Sequence, residues 1–231
     1  MQNYYKTIGA MVAASALVAG NASAEVEYEI HTGYTNEYLF RGVTYGNDLV
    51  EAGVDVSSEW NGLGLSAGAW YGSYNTNPGE LNYNEIDVYG EVSKDLGFAT
   101  AAVGYIWYVI DRPIGDDAQE AYFSLSREFF GFEASLTAFW DIETDNDGYL
   151  EAYIGKAFEL NECLTLNTGV TVAYLWEPNE FAHATAKVSL DWAFTETATL
   201  SPFVAAAFSL DDNYNHGGDE FVGGTMLSVS F

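Results

Sequence analysis

Acidic residues at alternating positions are the most frequent group in this chain that could do chemistry. Between residues 50 and 59, Glu51, Asp55 and Glu59 fall on one parity, and valines fall on the other. Alternate residues of a β-strand point to opposite faces of the sheet. The same count over the other segments predicts a polar face that carries Glu51, Asp55, Glu59, Glu85, Asp87, Glu91, Glu120, Glu128, Glu133, Asp141, Glu151 and Asp191.

If these strands close into a barrel, the polar face lines its lumen. Carboxylates gathered inside such a low-dielectric wall favour the passage of cations and repel anions. The chain has 34 Asp and Glu against 7 Lys and Arg, a net charge of −27. This balance disfavours nucleic acid as a partner, because no basic patch is available to neutralise phosphates. Two interpretations of the acidity remain open: a lumen that handles small cationic or neutral solutes, or a surface adapted to a salty habitat.

Arg41 is a conspicuous cation in this acidic chain. If the first strand runs unbroken over residues 26–45, Glu27, Glu29, Glu37 and Arg41 share its lumenal face. We therefore predict that Arg41 is a structural cation held by lumenal carboxylates, with selection of a solute as the alternative.

Enzymatic and metal chemistry have weaker signals. His183 has Ser and Thr nearby in the sequence, but no local motif supplies a nucleophile and an orienting group for a lipid hydrolase. Residues 143–148 resemble the start of a calcium loop, yet Ile154 stands where the closing Glu is required. We predict no enzyme activity, no cofactor and no dedicated metal site.

About a dozen alternating segments surround these residues. We predict strands at 26–45, 49–59, 63–75, 84–95, 98–110, 119–129, 132–142, 149–160, 163–176, 181–194, 199–210 and 221–231. Most are about 10–13 residues long, which suits a tilted crossing of a bilayer. Residues 98–110 are apolar on both parities, so the sequence does not orient that strand.

The links between these segments alternate in length. Tight links at 60–62, 96–97, 130–131 and 161–162 alternate with longer polar ones at 75–83, 111–118, 143–148 and 211–220. Short turns on one side and long loops on the other are typical of outer-membrane barrels. Trp140, Tyr149, Tyr174, Trp176 and Trp192 lie near strand ends, where aromatic girdles are expected.

The two ends of the chain predict an export signal and an assembly signal. Residues 1–24 combine Lys6, an apolar run and Ala22-Ser23-Ala24, the pattern of a cleaved signal peptide. The terminal Phe231 closes a strand that is apolar on one face and resembles the assembly signal of outer-membrane barrels. We predict a barrel over residues 25–231 that meets outer-membrane lipid and the barrel assembly machinery.

Residues 35–43 read Thr-Asn-Glu-Tyr-Leu-Phe-Arg-Gly-Val. This segment resembles the N-terminal signature of the TorF-type porin family of proteobacterial outer-membrane proteins, whose first strand bears an aromatic-x-Phe-Arg-Gly pattern. Residues 51–56 and the Gly-rich residues 62–74 are similar in order and character. The resemblance implies a barrel and a pore, and it brings no substrate.

The sequence thus predicts one all-β antiparallel barrel of about 12 strands, with 10 or 14 as alternatives. The predicted function is a passive outer-membrane diffusion channel with an acidic, cation-preferring lumen. A structural or adhesive barrel with a filled lumen is the first alternative, and a barrel lipid hydrolase is the second.

Overall fold

The alternating segments form β-strands, because residues of alternating polarity satisfy a wall with one polar and one apolar face. The strands are β1 Glu27–Phe40, β2 Val43–Trp60, β3 Leu63–Asn75, β4 Asn82–Asp95, β5 Thr100–Asp111, β6 Ala118–Phe129, β7 Phe132–Asp141, β8 Gly148–Asn161, β9 Leu164–Leu175, β10 Glu180–Ala193, β11 Ala198–Ser209 and β12 Glu220–Ser230. The prediction of about 12 strands is confirmed.

A computed structural model describes residues 26–75, 82–111, 117–143, 147–212, 214 and 218–231. The predicted signal peptide, residues 1–24, lies outside the described residues. Among those residues, no helix has the length and apolar character of a membrane span.

Each strand pairs antiparallel with the next, and β12 pairs with β1, so the sheet closes on itself. The ladder between β1 and β12 runs from Glu29↔Ser230 to Thr35↔Gly224. The final residue extends this ladder, since the Phe231 N–H donates to the Tyr28 carbonyl at 2.9 Å. Closure removes the open edges that a sheet cannot expose to lipid.

The wall is apolar outside and polar inside. Buried carboxylates include Glu51, Glu85, Asp87, Glu91, Glu120 and Glu151. Exposed apolar residues include Val50, Val54, Ile86, Val88, Val103, Trp107, Phe123, Leu136, Ile154, Val170, Val188 and Val204. A soluble barrel has the opposite distribution, whereas a barrel that faces lipid has this one.

The structure also shows which residues of β5 face outward, although this strand is apolar on both parities. Val103 and Trp107 are exposed on the outside, while Ala102, Ile106 and Tyr108 are buried in the lumen. Ile106 belongs to an apolar cluster inside the barrel, so apolar residues are required on both faces of this strand.

The barrel has two unlike ends. The turn end carries both chain ends of the wall and tight links such as Asn61–Gly62 and Phe130–Gly131; the loop end carries the longer links, such as the one between β11 and β12. Two links at the loop end are short, namely residues 176–179 between β9 and β10 and residues 41–42 between β1 and β2. The predicted first strand, residues 26–45, is wrong, because β1 ends at Phe40 and a two-residue turn leads directly into β2.

Candidate functional site

The hairpin formed by the ends of β1 and β2 leaves the wall and enters the lumen. Pairing of β1 with β12 stops at Thr35, and pairing of β2 with β3 starts at Asn47. Between these points, β1 and β2 pair with each other, from Glu37↔Asn47 to Phe40↔Val43, and with no other strand in the part of the chain that the structure describes. We call residues 36–46 the inserted hairpin.

Local irregularities allow the hairpin to bend away. The register shifts between Tyr38 and Leu39, and Asp48 adopts a φ of 55°, a left-handed conformation that interrupts a regular strand. Where β1 departs, the Asn36 side-chain oxygen accepts a bond from the Gly223 N–H at 2.6 Å. This bond replaces the ladder partner that β12 loses.

Arg41 and Gly42 form the tip, with φ values of 50° and 76°. Positive φ at both central residues is the geometry of a type I′ hairpin turn. A Cβ on Gly42 would lie only 2.4 Å from Cγ of His183 on β10, so the tip requires glycine for close approach as well as for φ. The Tyr214 hydroxyl, from the β11–β12 link, donates to the Arg41 carbonyl.

The Arg41 guanidinium crosses the lumen to the opposite wall. Its Nη1 and Nη2 donate to Oε1 and Oε2 of Glu120 on β6, each at 2.7 Å. Its carbon lies 4.7 Å from the Phe139 ring centroid and 4.3 Å from that of Tyr149. The group is thus bound by a two-pronged ion pair and two aromatic faces, both of which favour arginine over lysine.

Aromatic residues pack around the hairpin and fill the loop-end half of the lumen. One cluster contains Ile106, Tyr108, Tyr122, Phe139, Tyr149, Ala173 and Ala182, and a second contains Tyr38, Leu49, Trp70 and Tyr74. Phe40 of the hairpin contacts both clusters. The inserted hairpin therefore lies among the lumenal side chains of the loop-end half.

Several predicted lumenal acids are held by aromatic donors. Trp70 Nε1 donates to Glu51 Oε2 at 2.7 Å, and the Tyr89 hydroxyl donates to Asp55 Oδ1 at 2.5 Å. The Tyr122 hydroxyl donates to Glu91 at 2.8 Å. These bonds fix the carboxylates against the wall and compensate for their partial removal from water.

The remaining predicted acids differ in position. Glu85 and Asp87 are buried on the lumenal face of β4, and Asp191 accepts a bond from Asn167 at 2.8 Å near the turn end. Glu133 and Asp141 are half-buried at opposite ends of β7. Glu59 and Glu128 are exposed beside tight turns, because the ends of their strands extend past the enclosed lumen.

The aromatic donors inside the lumen are not among the site residues that the sequence predicts. Tyr149, predicted for an interfacial girdle, is instead buried and bonded to Glu151 and His183, so that prediction is wrong for this residue. Trp140, Trp176 and Trp192 are exposed on the outside. A usable signal existed, since Tyr89 and Tyr149 share the parity of the acids on their own strands.

His183 is bonded through both ring nitrogens. Nε2 lies 2.8 Å from the Tyr149 hydroxyl and Nδ1 lies 2.9 Å from the Thr185 hydroxyl. Since Tyr149 donates its proton to Glu151, Nε2 donates to Tyr149 and Nδ1 accepts from Thr185. The ring thus supports the hairpin tip and the wall beneath it.

Glu29, His31 and Asp55 form a separate group near the turn end that could offer one ligand atom each to a metal ion. His31 Nδ1 lies 3.3 Å from Asp55 Oδ2 and 3.9 Å from Glu29 Oε1. These separations are also those of ordinary ion pairs, and we assign no metal to them. Residues 144–146 of the calcium-like segment lie outside the described residues.

The barrel is similar to solved outer-membrane proteins. A KdgM porin matches with a TM-score of 0.56 and 11% identity over 89% of this chain and 99% of the porin. An outer membrane channel from Pseudomonas putida F1 matches at 0.58 and 10% identity over 92% and 97%. LpxR from Salmonella typhimurium matches at 0.56 and 10% identity over 88% and 99%. At these identities the likeness establishes the fold, and the predicted antiparallel barrel class is confirmed.

No curated protein matches the chain significantly. A family model described as "Bacterial protein of unknown function (Gcw_chp)" matches residues 19–217, which include the inserted hairpin. That description does not mention TorF-type porins, so the finer assignment made from residues 35–43 stays a prediction. The chain belongs to the Gcw_chp family of bacterial proteins.

Proposed function

We propose that this protein is a passive diffusion channel of the bacterial outer membrane, with an acidic lumen that favours cations. One observation carries the proposal: carboxylates such as Glu51, Glu91 and Glu151 are buried inside a closed wall whose exterior is apolar. Fixed negative charge within such a wall concentrates cations and excludes anions. Porins and channels among the structures of similar fold support the channel part of this proposal.

Recordings from the purified barrel in planar bilayers test the charge preference. Under a salt gradient we expect a reversal potential of cationic sign, which fades near 1 M salt, where the Debye length is only about 3 Å. Substitution of Glu51 and Glu133 by Gln, and of Asp55 by Asn, should move the potential toward zero.

A matched control removes the same charge from exposed links, through Glu162→Gln, Glu177→Gln and Glu196→Gln together. This control should leave the reversal potential unchanged. An anion preference, or equal effects of the two triple variants, would contradict the proposed filter and leave the acidity as a property of the surface.

The filled-lumen alternative also has an observation in its favour, because the inserted hairpin and the two aromatic clusters occupy the loop-end half. A structural or adhesive barrel would conduct no ions with the hairpin in place, whereas a channel would. Barrel lipid hydrolysis gains no support from His183, whose ring nitrogens contact Tyr149 and Thr185 rather than a serine.

We also propose that the loop end faces the cell exterior and the turn end faces the periplasm. Cys163 is exposed in a tight link at the turn end and serves as a built-in probe. An impermeant thiol reagent should label Cys163 only in lysed cells. In a Cys163→Ser background, Glu177→Cys at the loop end should be labelled in intact cells, and the opposite result would invert the orientation.

Phe231 is proposed as the assembly signal, and its side chain is exposed directly after the end of β12. Its deletion should reduce the amount of heat-modifiable barrel in outer-membrane fractions. Phe231→Tyr, which retains an aromatic terminus, is the control. Normal assembly after deletion would remove this role from the residue.

A further inference from the structure

The wall opposite the inserted hairpin has the features of a ligand site. Glu120, Phe139 and Tyr149 come from β6, β7 and β8, which are consecutive strands of the closed wall. Arg41 comes from a hairpin that pairs with none of them. We call Tyr108, Glu120, Phe139 and Tyr149 the aromatic cage.

The cage is held in place by bonds that do not involve Arg41. The Tyr108 hydroxyl donates to Glu120 Oε2 at 2.9 Å. The Tyr149 hydroxyl donates to Glu151 at 2.8 Å and is bonded to His183 at 2.8 Å. A carboxylate and a ring fixed in advance lose little freedom when a cation binds, and this preorganisation is typical of binding sites.

The geometry selects a planar cation. The two terminal guanidinium nitrogens, Nη1 and Nη2, each contact Glu120 at 2.7 Å, and the flat group lies near the Phe139 and Tyr149 rings. An ammonium group is a compact point charge and cannot form the parallel pair of bonds. The Arg41 and Glu120 side chains are only 16% and 9% exposed, so water competes weakly for these bonds.

We propose that the aromatic cage is a binding site for solutes that carry a guanidinium group, and that Arg41 occupies it as a tethered ligand. The inference rests on the proposed channel function, because a solute reaches the cage only through the lumen. A free guanidinium compound then competes with Arg41, and its binding favours withdrawal of the inserted hairpin. The cage thus links the presence of a solute to the opening of its passage.

Tethering sets the concentrations at which competition occurs. Arg41 occupies the cage in the structure, so the cage is free for only a small fraction of the time and a free ligand binds the wild-type barrel weakly. Removing the Arg41 side chain removes this competitor. The affinity of the cage for a free guanidinium compound should then increase by at least about tenfold, as expected when the competent state is freed from an internal occupant.

The test uses the full-length barrel in detergent micelles and methylguanidinium as the probe. In the Arg41→Ala variant, about 1–50 mM methylguanidinium should raise the Tm in a saturable way. Wild type should require a methylguanidinium concentration at least about tenfold higher for the same rise in Tm. Methylammonium should have little effect on either protein.

The double variant Arg41→Ala, Glu120→Gln is the control for the cage, and it should lose the methylguanidinium response. Arg41→Lys provides a second route if Arg41→Ala yields little folded barrel, since lysine retains the charge but not the paired bonds. It too should respond more strongly than wild type. Equal responses to methylguanidinium and methylammonium, or no difference between single and double variants, would overturn the proposal.

The binding measurement is independent of conduction. Saturable binding by Arg41→Ala, in a barrel that conducts no ions, would support the cage as a binding site and contradict the channel function. Cation-selective conduction without any methylguanidinium binding would contradict the binding site and support the channel function.

Discussion

The two halves of the lumen both contain carboxylates beside aromatic rings, but the carboxylates are enclosed in one half and partly exposed in the other. In the loop-end half, Glu120 is paired with Arg41 and enclosed by aromatic rings. In the turn-end half, Asp55 is held by Tyr89 and His31 and remains partly exposed. Small residues such as Ser57 and Ser66 face each other there across β2 and β3.

The inserted hairpin accounts for this difference. It brings Phe40 and Arg41 into the loop-end half, where they contact aromatic residues of the wall, and it does not reach the turn end. A narrow barrel can thus be closed in one half and polar in the other without any change in its wall. The following experiments test that division, from the largest expected effect to the smallest.

Removal of the inserted hairpin should have the largest effect. Replacing residues 37–46 with Asn-Gly joins Asn36 to Asn47, the point at which β2 resumes pairing with β3. We expect single-channel conductance to increase several-fold, because the wall ladders stay intact while the loop-end half empties. Arg41→Asn, which retains the hairpin and its type I′ turn, should give a smaller increase. Unchanged conductance after the replacement would show that the inserted hairpin does not limit the conductance of the barrel.

Glu120→Gln should produce the largest loss of stability among single substitutions in the lumen. It leaves the buried Arg41 guanidinium without its counter-charge, which typically costs about 3–5 kcal/mol. The free energy of unfolding from lipid vesicles in denaturant measures this loss. Glu128→Gln on the same strand is exposed and should change it by less than about 0.5 kcal/mol. Similar values for the two variants would contradict the importance of the ion pair.

Tyr89→Phe tests the turn-end half by the same measurement. The substitution removes the hydroxyl that donates to Asp55 and should reduce the free energy of unfolding by about 1 kcal/mol. The loss is smaller than at Glu120 because the Asp55 side chain is 30% exposed and can bond to water. Tyr28→Phe, on an exposed ring, is the control. A loss as large as that of Glu120→Gln would mean that the two halves are equally sealed.

Asn36→Ala should have the smallest effect. It removes the side-chain oxygen that accepts from the Gly223 N–H, a bond worth about 0.5–1 kcal/mol on the surface of the wall. Faster hydrogen exchange at Gly223 is the most direct readout. Asn36→Asp retains an acceptor and should preserve protection. Equal exchange rates in the two variants would show that the bond does not cap β12.

Much of the wall could be predicted from local alternation. The segments at 63–75 and 132–142 correspond closely to β3 and β7, and the parity of Glu51, Glu85 and Glu91 matches their burial. Alternation over a long segment is a strong signal, because one misplaced residue would put a charge on the lipid face. The single strand predicted over residues 26–45 is wrong, because Arg41-Gly42 forms a type I′ turn that reverses the chain.

The sequence by itself determined a closed, inside-out barrel, since residue period and turn spacing act within one strand or between adjacent strands. Only the tertiary structure decided that the hairpin turns inward and that Arg41 binds Glu120, 79 residues away. That choice depends on the space available inside the closed wall and on partners such as Tyr149 and His183 from distant strands. No local pattern encodes such a space, because it exists only once all the strands have assembled.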